Sequence, residues 1–221
     1  MPVAPIQLHY WPTPNGKKVT IALEEMALAY EIHPVDIGAA DQFKPAFLAI
    51  SPNNKMPAIV DPDGPGGAPI SIFESGAILQ YLGRKTGLFY PADERARIRV
   101  DEWLFWQMGG LGPMAGQAHH FWMFASKAEP DPEKLRYGVE RYTTEVARLY
   151  RVIERGLADG RAFIAGDYSI ADMAIWPWIV PDWQGQDLND FPVLKAWHER
   201  VAARPGVVRG DAVKPERATA R

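Results

Sequence analysis

The rhythm of apolar and polar residues changes near Gly87, and that change divides the chain. Ahead of it, short period-two stretches are separated by helical spacings. Ile6-Gln7-Leu8-His9-Tyr10 alternates like a half-buried strand and runs into the turn-rich Trp11-Pro12-Thr13-Pro14-Asn15-Gly16. Val19, Leu23, Met26 and Tyr30 then recur at helical spacing, which predicts a first helix from about Lys17 onward. Glu31 to Asp36 predicts a second strand, Gln42 to Ile50 a short or irregular helix, and Ala58 to Asp61 a third strand. Asp63-Gly64-Pro65-Gly66-Gly67 is a tight connection to a fourth strand near Ile70 to Phe73, so these two form a hairpin. Glu74 to Lys85 closes the unit as a helix carrying Ala77, Ile78, Tyr81 and Leu82. The order β-α-β-α-β-β-α, with first connections long enough for crossovers, predicts a mixed α/β sheet.

Strand signals stop at Thr86-Gly87-Leu88-Phe89-Tyr90-Pro91, which reads as a linker. Beyond it the pattern predicts helices over roughly Asp93 to Met108, Pro132 to Leu157, Ser169 to Val180 and Phe191 to Ala203. Gly109-Gly110-Leu111-Gly112-Pro113 has to bend or interrupt the first of these. Ser169-Ile170-Ala171-Asp172 has the outline of a capping box. After Arg204-Pro205-Gly206 the chain turns polar and predicts a loose tail. The expected organisation is an α/β domain over 1–87, an all-helical domain over 93–204 and a tail over 205–221.

Composition narrows the function. The 221 residues suffice for one large domain or two small ones, and 47% hydrophobic with 23% charged residues is ordinary for a globular protein. A net charge of −3 without a basic run argues against nucleic-acid binding. Met1-Pro2-Val3-Ala4-Pro5 lacks a signal-peptide pattern and no apolar run approaches a membrane span, so a cytoplasmic address away from membranes is expected. His119 and His120 are adjacent rather than one helical turn apart, which predicts no metal site. Gly110-Leu111-Gly112 and Gly64-Pro65-Gly66-Gly67 do not fit a dinucleotide or phosphate loop. Cysteine is absent. Any thiol chemistry must therefore use a thiol that arrives with a ligand.

Four places carry candidate chemistry. Met56-Pro57 stands at the mouth of the third strand; if that bond is cis, the Met56 backbone is free to pair with an extended peptide. Glu74-Ser75 opens a helix whose N–H groups, hydroxyl and dipole suit a carboxylate, while Glu74 suits the ammonium beside it. Together these would read an α-amino acid head group. Thr13 and Asn15 sit where the first strand hands over to the first helix, a donor cluster suited to a thiolate, though alone the turn reads as a cap. Lowering a free thiol's pKa by about 2 units takes roughly 2.7 kcal/mol, which one or two hydrogen bonds to a charged acceptor supply. Gln42 is a further polar candidate, and Arg141 by default a surface helix cation.

These motifs resemble the glutathione transferase superfamily along nearly the whole chain. Thr13-Pro14-Asn15-Gly16, Ser51-Pro52-Asn53-Asn54-Lys55, Phe73-Glu74-Ser75-Gly76-Ala77-Ile78-Leu79, Trp103-Leu104-Phe105-Trp106-Gln107 and Glu140-Arg141-Tyr142 are most similar to the bacterial nu class. The resemblance implies an α/β thioredoxin-like N-terminal domain, an all-α C-terminal domain and a homodimer. It implies that Thr13 and Asn15 hold the glutathione sulfur, that Met56, before a cis Pro57, pairs with the cysteinyl part, and that Glu74 and Ser75 take the γ-glutamyl end. Gln42 and Arg141 would add contacts, while Tyr10 reads as a strand residue rather than a catalytic tyrosine. The implied activity is glutathione-dependent disulfide reduction, with glutathione as co-substrate, glutathione disulfide as product, and no metal or nucleotide. Two alternatives remain at this point: conjugation of glutathione to small electrophiles, and a non-catalytic binding or regulatory protein of the same architecture.

Overall fold

The computed structural model describes residues 4–215. Backbone contacts gather the chain into two units: one runs up to Tyr90 and takes in the segment from Arg204, and the other is Pro91–Ala203.

The first unit is built on four strands, β1 (Ile6–Tyr10), β2 (Tyr30–Pro34), β3 (Ala58–Asp61) and β4 (Ile70–Phe73), in the order β2-β1-β3-β4. β1 and β2 are parallel because a helix crosses between them; β3 runs antiparallel to β1 and to its hairpin partner β4. The helices of this unit are α1 (Pro14–Glu25), α2 (Pro45–Leu48) and α3 (Ser75–Thr86). α1 starts earlier than its apolar spacing suggests, since Thr13 caps it and Pro14 takes the first turn, where a missing N–H costs nothing. It also stops sooner: Ala27 is left-handed (φ 52°), and Tyr30 opens β2 instead of extending the helix. The stretch from Gln42 to Ile50 is irregular: a 3₁₀ turn ends at Phe43, α2 holds four residues, and a turn follows at Ala49 and Ile50. Val35, Phe47 and Ala58, flanked by Ile50 and Met56, form a small core of their own.

In the second unit, α4 (Glu94–Trp106) passes through a π-turn at Gln107–Leu111 into α5 (Gly112–His119). The expected bend or interruption at Gly109–Pro113 takes the form of this π-turn, whose wider geometry absorbs the N–H that Pro113 lacks. α6 (Pro132–Gly156) is the long amphipathic helix, and α7 (Ile170–Ile175) is buried at every position. α7 ends before the expected Val180 in a 3₁₀ turn at Trp176–Trp178, where Pro177 cannot continue the ladder. Ser169 and Asp172 form the capping box, and α8 (Pro181–Gln184) and α9 (Pro192–Ala202) follow.

The expected loose tail is corrected by the structure. Pro205–Ala212 forms a helix, α10, which packs on α1 within the first unit. Arg204 makes a two-pronged ion pair with Glu25 at 2.8 and 2.9 Å, Arg209 reaches Glu24 at 2.6 Å, and Lys17 pairs with Asp211 at 2.6 Å. Residues 216–221 of the expected tail lie outside the described residues.

Candidate functional site

The turn between β1 and α1 is held from both sides. Thr13 Oγ1 accepts the Gly16 N–H at 3.2 Å and directs its own hydrogen toward the Met56 sulfur, 3.7 Å away. A thioether is a weak acceptor, so a charged sulfur competes for that hydrogen with ease. Asn15 follows two residues on, in the first turn of α1. Gly16 is required by close approach: a Cβ there would stand 2.2 Å from the Trp11 carbonyl oxygen and 2.8 Å from the Tyr10 ring. Gly16→Ala is therefore expected to destabilise the chain by about 2 kcal/mol or more. Urea denaturation followed by circular dichroism checks this, and an unchanged midpoint would contradict it.

Tyr10 is fully buried, with its hydroxyl donating to the Val213 carbonyl oxygen at 3.1 Å. Burial pushes its pKa up to about 12, assisted by Asp211 and opposed by a hydrogen bond with Thr20. A phenol so placed does not activate a thiol at neutral pH.

The Met56–Pro57 peptide is cis and leads directly into β3, with Pro57 buried and Met56 partly so. At the same end of the sheet, where Phe73 closes β4 opposite Ala58, Ser75 is the first residue of α3 and is 7% exposed. Glu74 precedes it as the cap residue, exposed and left-handed at φ 71°. Gln42 lies in a 3₁₀ turn, where its buried amide oxygen has no hydrogen-bond partner in the structure.

One residue of this region is not predicted by the sequence pattern. Lys18, one turn along α1 from Asn15, is 1% exposed, and its ammonium lies 3.5 Å from Ser75 Oγ. Desolvation pulls its pKa well below the usual lysine range, against the attraction of Glu74. Lys18 thus links α1, whose cap Thr13 contacts Met56, to the Glu74–Ser75 start of α3. Hydrophobic spacing treats a lysine as surface, and only its seat among Gly16, Val19 and Ile21 on a buried helix gave a signal.

Arg141 belongs to the second unit. It is exposed on α6, with its guanidinium 5.9 Å from the Tyr142 ring, and it lines a cavity of about 630 Å³ with Met114, Tyr137, Glu140 and Glu145. Among the described residues, no group of three or more His, Asp or Glu is placed to hold a metal ion.

A family model described as "Glutathione S-transferase, N-terminal domain" matches residues 13–85, and one described as "Glutathione S-transferase, C-terminal domain" matches residues 113–205. The disulfide-bond oxidoreductase YfcG of Escherichia coli (strain K12) is 51% identical over 203 residues, covering 90% of this chain and 91% of the relative. The crystal structure of a glutathione transferase from Pseudomonas putida, with one glutathione disulfide bound per subunit, superposes with a TM-score of 0.88 at 44% identity, over 95% of this chain and 91% of that one. A glutathione transferase family member from Pseudomonas fluorescens, with two glutathiones bound, gives a TM-score of 0.86 at 45% identity, over 93% and 92%. With a thioredoxin-like sheet domain, a helical domain and both family models matched in order, the chain belongs to the glutathione S-transferase family.

Proposed function

We propose that this protein is a glutathione-dependent disulfide-bond reductase in which glutathione, and no protein cysteine, supplies the reacting thiols. The observation that carries the proposal is the Thr13 hydroxyl, which meets only the weakly accepting Met56 thioether and can turn to an incoming thiolate, in a chain without cysteine. Bound glutathione loses its thiol proton, and its thiolate attacks one sulfur of the substrate disulfide. That bond breaks, leaving a glutathionyl mixed disulfide and a thiolate that takes up a proton. A second glutathione thiolate then attacks the mixed disulfide, giving glutathione disulfide and the second reduced thiol. The two electrons gained by the substrate come from the two glutathiones. The relatives crystallised with two glutathiones, or with glutathione disulfide, support this stoichiometry.

In this reading the roles are assigned as follows. Thr13 and Asn15 donate to the glutathione sulfur at the head of α1. Met56, before the cis Pro57, pairs its backbone with the cysteinyl part. Glu74 binds the γ-glutamyl ammonium and Ser75 the adjacent carboxylate. Gln42 brings a buried acceptor within the same unit, and Arg141 adds a cationic contact from the wall of its cavity. We further assign the chain to the nu class, as a cytoplasmic homodimer. No described helix is long and apolar enough to cross a membrane, which is consistent with that address.

The test is turnover of 2-hydroxyethyl disulfide with glutathione, coupled to glutathione reductase. The expected rate exceeds the uncatalysed exchange, and a rate equal to it would sink the proposal. Conjugation of chlorodinitrobenzene on the same preparation is expected to be the slower reaction. Thr13→Ala and Asn15→Ala are each expected to lower disulfide turnover by about 10- to 100-fold, with a smaller change in glutathione affinity, since each removes one hydrogen bond to a charged acceptor. Equal losses in turnover and affinity would place these residues in binding alone.

A further inference from the structure

We propose that Lys18 is a positioning residue for the γ-glutamyl end of glutathione: its buried ammonium donates to Ser75 Oγ and so aims the Ser75 hydroxyl hydrogen at the ligand's α-carboxylate. The inference rests on the glutathione-binding role given to Glu74 and Ser75 above, and adds a residue beneath them.

Lysine is almost never fully buried unless something in the structure engages its charge. At 1% exposure Lys18 has given up its water, which favours the neutral amine. Glu74 opposes this, and the ligand carboxylate bound at Ser75 adds to that opposition, so the ammonium is the form of the occupied site. An ammonium carries three donors and no acceptor. Across the 3.5 Å to Ser75, therefore, the serine oxygen accepts and its own hydrogen has to point elsewhere. Ser75 is the first residue of a twelve-residue helix, so its hydroxyl hydrogen joins the first-turn N–H groups as a donor to an anion.

Charge gives a second reason. Glu74 is exposed beside this helix end, and its carboxylate repels the ligand carboxylate that Ser75 is to bind. A cation held beneath Ser75 offsets that repulsion in a region where water screens poorly. Glu74 is then free to select the ammonium without rejecting its neighbour. With Lys18 in place, the pocket can tell an α-amino acid head group from a plain amine.

The experiment compares glutathione with γ-aminobutyryl-cysteinyl-glycine, which keeps the amine and thiol but lacks the α-carboxylate. Calorimetry on the full chain is expected to show glutathione binding about 30-fold tighter than the analogue. In Lys18→Met that preference is expected to fall to about 3-fold or less, through weaker glutathione binding with the analogue unchanged. In the double variant with Ser75→Ala, the lysine change is expected to add less than about 2-fold, because it acts through the serine. Equal weakening of both ligands by Lys18→Met would show a general loss of structure and overturn the proposal. Should Lys18→Met not fold, Ser75→Ala decides, since the full preference retained in that variant also overturns it. A wild-type chain that binds neither ligand removes the glutathione role itself, an outcome distinct from both.

Discussion

Gly210→Ala is expected to lower the stability of the chain by about 3 kcal/mol and to loosen α10 from α1. A Cβ at position 210 would stand 2.5 Å from Ile21 Cα, 2.6 Å from Ile21 N and 2.9 Å from the Thr20 carbonyl carbon. All three are backbone atoms, so no side chain can rotate away and the helices must separate. Separation also breaks the buried bond from Thr20 Oγ1 to the Gly210 carbonyl oxygen, 2.7 Å long. Helix propensity alone predicts the opposite sign, since alanine is favoured over glycine by about 1 kcal/mol. The direction of the change therefore separates the two accounts. Chemical denaturation monitored by circular dichroism measures it, with Val208→Ala on the exposed face of α10 as a control expected to stay within about 0.5 kcal/mol. A stabilised Gly210→Ala variant would mean that the helices do not meet backbone to backbone. The result bears on the proposed function because α1 carries Asn15 and Lys18 and is capped by Thr13.

The Gly210 contact also explains why α10 was not legible in the sequence. Two of its three buried residues are Gly206 and Gly210, which leaves Val207 as the single buried apolar side chain and no apolar periodicity to count. The Pro-Gly start and the charged residues around it read as a solvated tail. The strands were legible for the opposite reason. β1, β3 and β4 alternate or form short apolar runs between turn residues, and all three lie where those patterns end. α5 was hidden because Gly109 to Pro113 looks like a break, and nothing in a glycine-proline run distinguishes a stop from a π-turn.

The site divides along the same line. Thr13, Met56, Pro57, Glu74 and Ser75, the proposed site residues, lie at caps, a helix end or a proline bond, features set by residue type and local order. The structure places Thr13 against Met56, and Ser75 above Lys18. Lys18 has no motif, since its role depends on what covers α1. That cover is supplied partly by α3, whose first residue it touches, and by α10 from the far end of the chain. No local window contains both. Arg141 was legible only through the family resemblance, because an arginine on a long charged helix has no distinguishing spacing.

Asp172→Ala is expected to cost about 4 kcal/mol, the largest loss from any single truncation considered. Asp172 is fully buried and accepts from Ile164 N at 3.0 Å, Ser169 N at 3.0 Å and Trp197 Nε1 at 2.8 Å. Alanine would leave three buried donors unpaired, each worth about 1–3 kcal/mol, and would end the capping box that starts α7. Asp172→Asn tests the charge separately, because it keeps one accepting oxygen and removes the titration. Burial pushes the Asp172 pKa up to about 6, while its N–H donors pull it back. A folded value above the unfolded value of about 3.9 means that the folded state holds this proton more tightly. The Asp172 contribution is then greatest below about pH 4 and declines as pH rises through 6. The stability gap between wild type and Asp172→Asn is accordingly expected to narrow by about 2 kcal/mol between pH 4 and pH 7. Urea midpoints of the two proteins across that range measure the gap. A gap that widens with pH would show that the three donors outweigh burial and hold the carboxylate ionised throughout.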